Sequence, residues 1–213
     1  MPELVAHPLT HRVRPGTGDG TLVLLHGRGA DEHDLFGLFD ILDPEQRLTG
    51  VTVGGPLRLP PGGKHWYVVP RVGFPEAQTF SATYAALEAL LDDELGLDWS
   101  RTIVGGFSQG TVMSYALGLG AGRPRPAGIL AQSGFIPTVD TWSADLEARR
   151  GMPVLITHGS LDPIISVQFA QEARDTLMAA GLDVTYRETP MAHTIDPRGL
   201  PDVQRWLRQA ISD

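Results

Sequence analysis

The chain has 213 residues, of which 42% are hydrophobic and 20% are charged, and it carries a net charge of −8 and no cysteine. The missing cysteines exclude disulfides, thiolate metal sites and a cysteine nucleophile, and the acidic balance argues against nucleic acid or an anionic membrane surface as a partner. No apolar run approaches the roughly 20 residues of a membrane span and the first residues lack a signal-peptide pattern, so the expected location is the cytoplasm.

The first predicted strand, Thr21–Leu25, leads into a glycine-rich turn with the sequence His-Gly-Arg-Gly. Gly27 and Gly29 allow backbone N–H groups to turn inward, where they can hold an anion. One interpretation is a phosphate-binding loop, but the turn has neither the spacing nor the lysine of a Walker motif. The other is an oxyanion-binding loop, in which the backbone N–H of Arg28 is the expected donor and which requires a nucleophile elsewhere in the chain.

A short helix is predicted from the apolar spacing of Leu35, Leu38, Phe39 and Leu42. A strand at Val51–Val53 follows, and then the segment Gly54–Gln78, which is dense in proline and glycine and fits no regular element. A loop of this length in a compact domain is either disordered or functional, and the aromatic side chains Trp66, Tyr67 and Phe74 argue against disorder. Two interpretations stay open here: the segment is surface padding over the sheet, or it is a wall over a functional site.

The sharpest motif follows the predicted strand Thr102–Val104 and precedes the helical run Thr111–Leu119. It reads Gly106-Phe107-Ser108-Gln109-Gly110, the Gly-x-Ser-x-Gly pattern of a nucleophile elbow. The serine of such an elbow lies on a strained strand-to-helix turn, which only small neighbours permit. A chain of this composition contains about 0.1 such matches by chance, so the strand before and the helix after carry the argument. The elbow also makes the backbone N–H of Gln109 the second expected oxyanion donor.

A serine nucleophile needs a histidine base and an acid that orients it, in the chain order Ser, Asp or Glu, His. The predicted strand Val154–Thr157 leads to Asp162, and the predicted strand Asp183–Arg187 leads to His193. Both residues therefore fall at the carboxyl ends of strands, where ligand sites of α/β sheets lie. Asp162 is alternatively a turn residue, with Asp140 as the other candidate acid. His193 is alternatively an ordinary surface histidine.

The remaining pattern completes an alternation of strands and helices. Helices are predicted from the apolar positions Phe80, Tyr84, Leu87 and Leu91, then Phe169, Ala173 and Leu177, then Val203, Trp206, Leu207, Ala210 and Ile211. Ser166 is a plausible N-cap of the second of these helices, and Gly181 stands just past its end. A further strand is predicted at Ala127–Ala131. The alternation predicts an α/β fold with a doubly wound, mostly parallel sheet, in a single domain over residues 1–213.

Four parts of the chain together resemble the phospholipase/carboxylesterase family of α/β-hydrolases. They are Leu25 to Asp31, Gly106 to Gly110, the run His158-Gly159-Ser160-Leu161-Asp162-Pro163-Ile164-Ile165, and His193. The resemblance implies an α/β-hydrolase fold with helices on both faces of the sheet. It implies a serine hydrolase of esters or thioesters that needs no cofactor, with Ser108, Asp162 and His193 as triad and the Arg28 and Gln109 amides as oxyanion hole. It also makes a homodimer plausible. Many members have glycine before the histidine, where this chain has Ala192.

Trp66, Tyr67, Phe74 and Phe135 are candidates to line an apolar acyl pocket, argued only from the loops on which they stand. A peptidase or acyltransferase on the same triad, or a non-catalytic binding protein with a hydrolase fold, are the alternative functions. A metal hydrolase would use His7, His11, His33 or His65, which do not form a zinc motif.

Overall fold

The computed structural model describes residues 8–212. Over this range the chain forms nine strands: β1 Thr10–Arg14, β2 Gly20–Leu25, β3 Leu48–Gly54, β4 Leu57–Arg58, β5 Lys64–His65, β6 Thr102–Phe107, β7 Gly128–Gln132, β8 Pro153–Gly159 and β9 Asp183–Thr189. Its α-helices are α1 Leu38–Leu42, α2 Ala77–Glu88, α3 Gln109–Leu119, α4 Val167–Ala179 and α5 Leu200–Ser212. The helix α2 continues as a π-helical turn, Ala89–Glu94.

Seven strands form one sheet in the order β1-β3-β2-β6-β7-β8-β9, in which only β1 runs antiparallel to its neighbour. The short strands β4 and β5 pair separately as a small antiparallel hairpin. The mostly parallel sheet confirms the predicted α/β class, and each predicted strand is present. Five of the six are longer than predicted, whereas β7 is shifted by one residue from the predicted Ala127–Ala131 to Gly128–Gln132. Parallel strands bring their carboxyl ends to one edge of the sheet, so the loops after β2, β6, β8 and β9 lie close together.

Two apolar layers cover the two faces of the sheet. One face packs against α2, α3 and α4 through residues such as Phe80, Met113 and Leu177. The other packs against α1 and α5 through Phe39 and Trp206. Because consecutive strand residues point to opposite faces, a strand buried on both faces must be apolar throughout, which explains the continuous aliphatic runs of the sequence.

Two local features differ from the sequence prediction, and a third agrees with it. Strand β1 had no apolar signature, because it is an edge strand in which Arg14 is buried by its ion pair with Asp43 at 2.5 Å. The helix α1 begins at Leu38 rather than near Leu35, although Leu35 is buried in the same layer. At α4 the prediction is confirmed, since Ser166 Oγ accepts a hydrogen bond from the Gln168 N–H.

Candidate active site

Ser108 stands on a strained turn between β6 and α3. Its backbone φ of 56° and ψ of −119° lie in a region that non-glycine residues rarely adopt. The turn is compatible with the fold because Gly106 and Gly110 let it approach the end of β2: a Cβ added to Gly110 would lie 1.9 Å from the Leu25 carbonyl oxygen. The Ser108 N–H donates to the Gln132 carbonyl at 3.0 Å, which fixes the turn from the β7 side.

The structure brings Ser108, His193 and Asp162 together from three different loops. Ser108 Oγ lies 2.9 Å from His193 Nε2, and His193 Nδ1 lies 2.6 Å from Asp162 Oδ2. The two ring nitrogens of one histidine therefore connect the hydroxyl to the carboxylate. Asp140, the other candidate acid of the sequence, is exposed. Gly159 permits this assembly, because a Cβ there would come within 2.4 Å of the carbonyl oxygens of Met191 and Ala192 in the histidine loop.

The Asp162 carboxylate is buried and fully hydrogen-bonded. Its Oδ1 accepts from the backbone N–H groups of Ile164 and Ile165, at 2.8 and 2.9 Å. Burial alone would raise the pKa of Asp162, but the hydrogen bonds from His193 and from these two amides outweigh it and lower the pKa below its usual value. Asp162 is therefore ionised at neutral pH and able to accept from His193 Nδ1–H.

His158 is a second histidine at the carboxylate, and sequence order gave it no role. It is buried, with Nε2 at 2.9 Å from the Ile165 carbonyl and 3.3 Å from Asp162 Oδ2. Burial lowers the pKa of its imidazole, so the ring is neutral at pH 7. The Nε2–H of the neutral His158 ring faces the Asp162 carboxylate and helps to hold it in position, without cancelling its negative charge. The position of His158 four residues before the acid was the only available signal.

The turn after β2 brings Arg28 to the cavity that Ser108 also lines. Its conformation is fixed by hydrogen bonds to β5, in which the Gly29 N–H donates to the Lys64 carbonyl and the Lys64 N–H to the Ala30 carbonyl, at 2.8 and 2.7 Å. Within residues 8–212 neither the Arg28 N–H nor the Gln109 N–H has a hydrogen-bond partner. The first amide of α3 also lies at the positive end of the helix dipole. Both amides therefore keep a free N–H donor.

The Gln109 side chain connects the elbow to the segment Gly54–Gln78. Its Oε1 accepts from the Trp66 N–H at 3.1 Å and its Nε2 donates to the Tyr67 carbonyl at 3.0 Å. The Trp66 indole N–H in turn donates to the His26 carbonyl at 2.8 Å. The segment is therefore packed against the elbow and the turn after β2, which favours the wall interpretation over surface padding.

Ser108 opens into a cavity of about 360 Å³. Its lining consists of Arg28, Tyr67, Val69, Arg71, Val72, Ser108, Gln109, Phe135, Ile164 and Ile165. Of the four candidate pocket residues, Tyr67 and Phe135 line this cavity. Trp66 does not reach the cavity, since its ring is fully buried against His26. Phe74 is also outside the lining: it is 48% exposed and stacks on the Arg71 guanidinium.

The pocket residues that sequence reasoning missed are Val69, Arg71, Val72, Ile164 and Ile165. The two isoleucines follow directly on Asp162-Pro163, and an apolar pair beside a candidate acid was their only signal. A second cavity, of about 520 Å³, lies behind the histidine loop between the ends of β7, β8 and β9, and Ser108 is not part of its wall.

The histidines of the metal alternative are dispersed. His33 Nδ1 lies 3.1 Å from Arg12 Nη1, His65 Nδ1 lies 3.2 Å from the Tyr67 carbonyl, and His7 falls outside the described residues. In residues 8–212 no three His, Cys, Asp or Glu side chains are grouped so as to hold a metal ion. The same range contains no helix with the length and hydropathy needed to cross a bilayer.

A sequence model of the phospholipase/carboxylesterase family matches residues 15–211. Acyl-protein thioesterase 1 of Emericella nidulans is 25% identical over 99% of this chain and 94% of its own. Acyl-protein thioesterase 1 of Gibberella zeae is 33% identical, but that match spans only 54% of this chain and 51% of the relative.

Among solved structures, the carboxylesterase of Bacillus cereus superposes with a TM-score of 0.82 at 23% identity, over 95% of this chain and 94% of that one. At this identity the superposition establishes the fold alone.

Proposed function

This chain belongs to the phospholipase/carboxylesterase family of α/β-hydrolases, and we propose that it cleaves carboxylic esters through a Ser108-His193-Asp162 triad and an acyl-enzyme intermediate. Membership makes the protein a hydrolase of the esterase and thioesterase class. The proposal adds the residues and the order of steps.

The first half of the reaction acylates the serine. His193 Nε2 takes the proton of Ser108 Oγ, which attacks the carbonyl carbon of the ester, while Asp162 accepts the Nδ1–H bond and stabilises the imidazolium. The developing oxyanion is held by the Arg28 and Gln109 amides, each of which contributes about 10²- to 10³-fold in such sites. His193 then gives its proton to the departing alcohol or thiol, and the acyl–oxygen or acyl–sulfur bond breaks.

The second half returns the enzyme to its starting state. A water molecule gives one proton to His193 and its hydroxyl to the acyl carbon, and the acid leaves as Ser108 Oγ recovers the proton from His193. His193 returns each proton that it takes, so the reaction is complete without a cofactor.

The observation that carries this proposal is the continuous hydrogen-bonded path from Asp162 through His193 to a strained serine that faces a cavity. The cavity floor is apolar, which suits the hydrocarbon part of a small-molecule ester. The relatives named above are thioesterases and a carboxylesterase, so thioesters are included in the proposed range, as are lysophospholipids.

The experiment compares wild type, Ser108→Ala and the control Ser100→Ala on 4-nitrophenyl esters of increasing acyl length. Ser100 is an exposed serine before β6, at the opposite end of the strand that carries the elbow. We expect Ser108→Ala to lose at least about 10³-fold in kcat/KM, because the nucleophile is gone, and Ser100→Ala to keep wild-type activity.

Labelling by a fluorophosphonate gives the second readout, since it requires an activated serine and no particular substrate. Label on wild type but not on Ser108→Ala supports the triad. Ester cleavage that survives Ser108→Ala would refute the mechanism, and a wild-type protein that neither cleaves nor labels would favour the non-catalytic binding alternative.

A further inference from the structure

The cavity beside Ser108 carries positive charge and no negative charge on its wall. Arg28 and Arg71 both line it, and no aspartate or glutamate does. The surrounding protein has the opposite sign, with a net charge of −8. Two arginines without a facing carboxylate on the cavity wall favour the approach of an anion, even in an acidic protein.

Neither guanidinium is neutralised by a carboxylate. Elsewhere, Arg14 pairs with Asp43 at 2.5 Å and Arg198 with Asp196 at 2.9 Å. Over the described residues no carboxylate lies within ion-pair distance of Arg28 or Arg71. Both are exposed and keep their hydrogen-bond donors available.

Arg71 is nevertheless held in place. Its guanidinium carbon lies 3.6 Å from the centre of the Phe74 ring, and its carbonyl accepts the Phe74 N–H at 3.0 Å. The same tight turn is fastened to the loop after β7, since Thr138 Oγ1 donates to the Gly73 carbonyl at 2.6 Å. A planar guanidinium supported on an aromatic face loses less conformational freedom when it binds a carboxylate or phosphate.

The cavity has an apolar floor and a charged rim. Tyr67 is 2% exposed and Phe135 and Ile165 are each 5% exposed, whereas Val72 and Ile164 at the rim are 37% and 57% exposed. Arg28 and Arg71 stand on the exposed side of the same wall. A ligand that fills the cavity therefore has hydrocarbon at the floor and an anionic group near the rim.

We propose that the enzyme selects esters that carry a negatively charged group in addition to the scissile bond, with Arg71 as the main specificity-determining residue and Arg28 in support. The anion is a carboxylate or phosphate on either the acid or the alcohol part of the ester. This inference rests on the proposed hydrolase function, because it concerns the substrate of the same serine.

The experiment has two arms, each a pair of esters that differ in one charge. In the first arm the charge is on the acid, in mono-4-nitrophenyl adipate against 4-nitrophenyl hexanoate. In the second it is on the alcohol, in 4-acetoxybenzoate against the neutral 4-acetoxybenzamide, which has the same single ester bond. The measured quantity is the ratio of kcat/KM for the charged ester to that for the neutral ester, with Ser108→Ala as the blank for spontaneous hydrolysis.

We expect this ratio to exceed one in at least one arm for wild type and to fall about three- to tenfold in Arg71→Gln, as for the loss of one charge-assisted contact at a solvent-exposed rim. Arg71→Lys should recover part of the ratio. The matched control is Arg125→Gln, which removes the same charge from an exposed position in the loop between α3 and β7, and it should leave the ratio unchanged. Raising the ionic strength from about 0.01 M to about 1 M should also lower the ratio, because the Debye length shrinks from about 30 Å to about 3 Å.

Different results would refute the proposed charge selectivity and the proposed hydrolase function. Cleavage of the neutral esters by Ser108, with a ratio at or below one in both arms, would overturn the charge selectivity and leave the hydrolase proposal intact. A fall in the ratio of equal size in Arg125→Gln would also overturn it, because net charge rather than the cavity would then be responsible. Failure on all four esters together with no fluorophosphonate label would refute the proposed function itself.

Discussion

Single residues of the site are held by backbone groups more than by other side chains. Ser108 keeps a positive φ, a conformation that costs about 1–3 kcal/mol, because the surrounding hydrogen bonds leave it no alternative. The Thr111 hydroxyl lies 2.6 Å from the carbonyl oxygens of both Gly106 and Gln132. Asp162 is likewise fixed by two amides. The catalytic geometry is thus set before any substrate binds.

At the same scale, the Glu32–Lys64 ion pair predicts a pH-dependent stability. Glu32 Oε2 lies 2.6 Å from Lys64 Nζ, and the pair joins the turn after β2 to β5. Burial would raise the pKa of Glu32, but the hydrogen bond from Lys64 and further hydrogen bonds prevail and lower it to about 2. A carboxyl with a depressed pKa in the folded state stabilises the fold above its unfolded pKa of about 4.3, and this stabilisation disappears as the pH falls toward about 2.

We therefore expect Glu32→Gln to lose about 1–2 kcal/mol of unfolding free energy at pH 7, and the difference from wild type to vanish between about pH 4 and pH 2. Urea unfolding at a series of pH values measures it. The control is Glu172→Gln, at an exposed position of α4 that has no ion pair within the described residues. A difference that stays constant down to pH 2 would contradict the assignment.

Among the elements, the closest approach that the site requires is that of α3 to the end of β2. A Cβ on Gly110 would lie 1.9 Å from the Leu25 oxygen and 2.7 Å from the His26 oxygen, both rigid backbone atoms. We expect Gly110→Ala to cost at least about 3 kcal/mol or to prevent folding, because the helix and the strand must separate. Thermal and urea unfolding of the purified variant measure the loss.

The same chemical change at Gly37 provides the comparison. A Cβ there meets no atom within 4 Å, and its backbone φ is −67°. We expect Gly37→Ala to be neutral or to stabilise the protein by about 0.4–1 kcal/mol. Equal effects of the two substitutions would show that the contact at Gly110 is not what requires glycine.

Elements with a strong local signature were predictable from sequence, and the others were not. Strand β6, the elbow and α3 were predicted because an aliphatic run, a glycine motif and an apolar helix follow one another. Strand β1 was not predicted, because its residues are mostly polar and because its place in the sheet depends on pairing with β3, about forty positions away in the sequence. The hairpin of β4 and β5 was not predicted either, because strands of two residues are too short to show a periodic pattern of apolar residues.

At the scale of the whole molecule, the two apolar layers pack on opposite faces of one sheet. Neither layer can therefore unfold while the other keeps its packing on that sheet. Trp66 and Trp99 lie in the layer with α2, α3 and α4, and Trp206 lies in the other. We expect a single unfolding transition in urea, as for one domain, with the same midpoint by tryptophan fluorescence and by circular dichroism. In Trp206→Phe the fluorescence reports the first layer alone and should still coincide with the circular dichroism. Two separated transitions would contradict the one-domain prediction.

The meeting of Ser108, Asp162 and His193 could be predicted from sequence because the order of strand ends along the chain determines which loops meet. The cavity could not, because its wall is assembled from side chains whose directions depend on loop conformation. Trp66 turns inward to bond the His26 carbonyl, and Phe74 turns outward under Arg71. Residue type alone makes both aromatics equally good candidates, and only the backbone around them separates their roles.

The contact of Gly110 with the end of β2 also has a consequence for engineering. It joins the serine turn directly to the strand end from which the Arg28 turn begins, so the two are one rigid unit. The Gly54–Gln78 segment is attached to that unit through Gly55, Lys64, Trp66 and Tyr67. A library that varies residues 69–75 while preserving those anchors should therefore change which esters are accepted without disturbing bond cleavage, and reactivity and substrate range can be redesigned as separate modules.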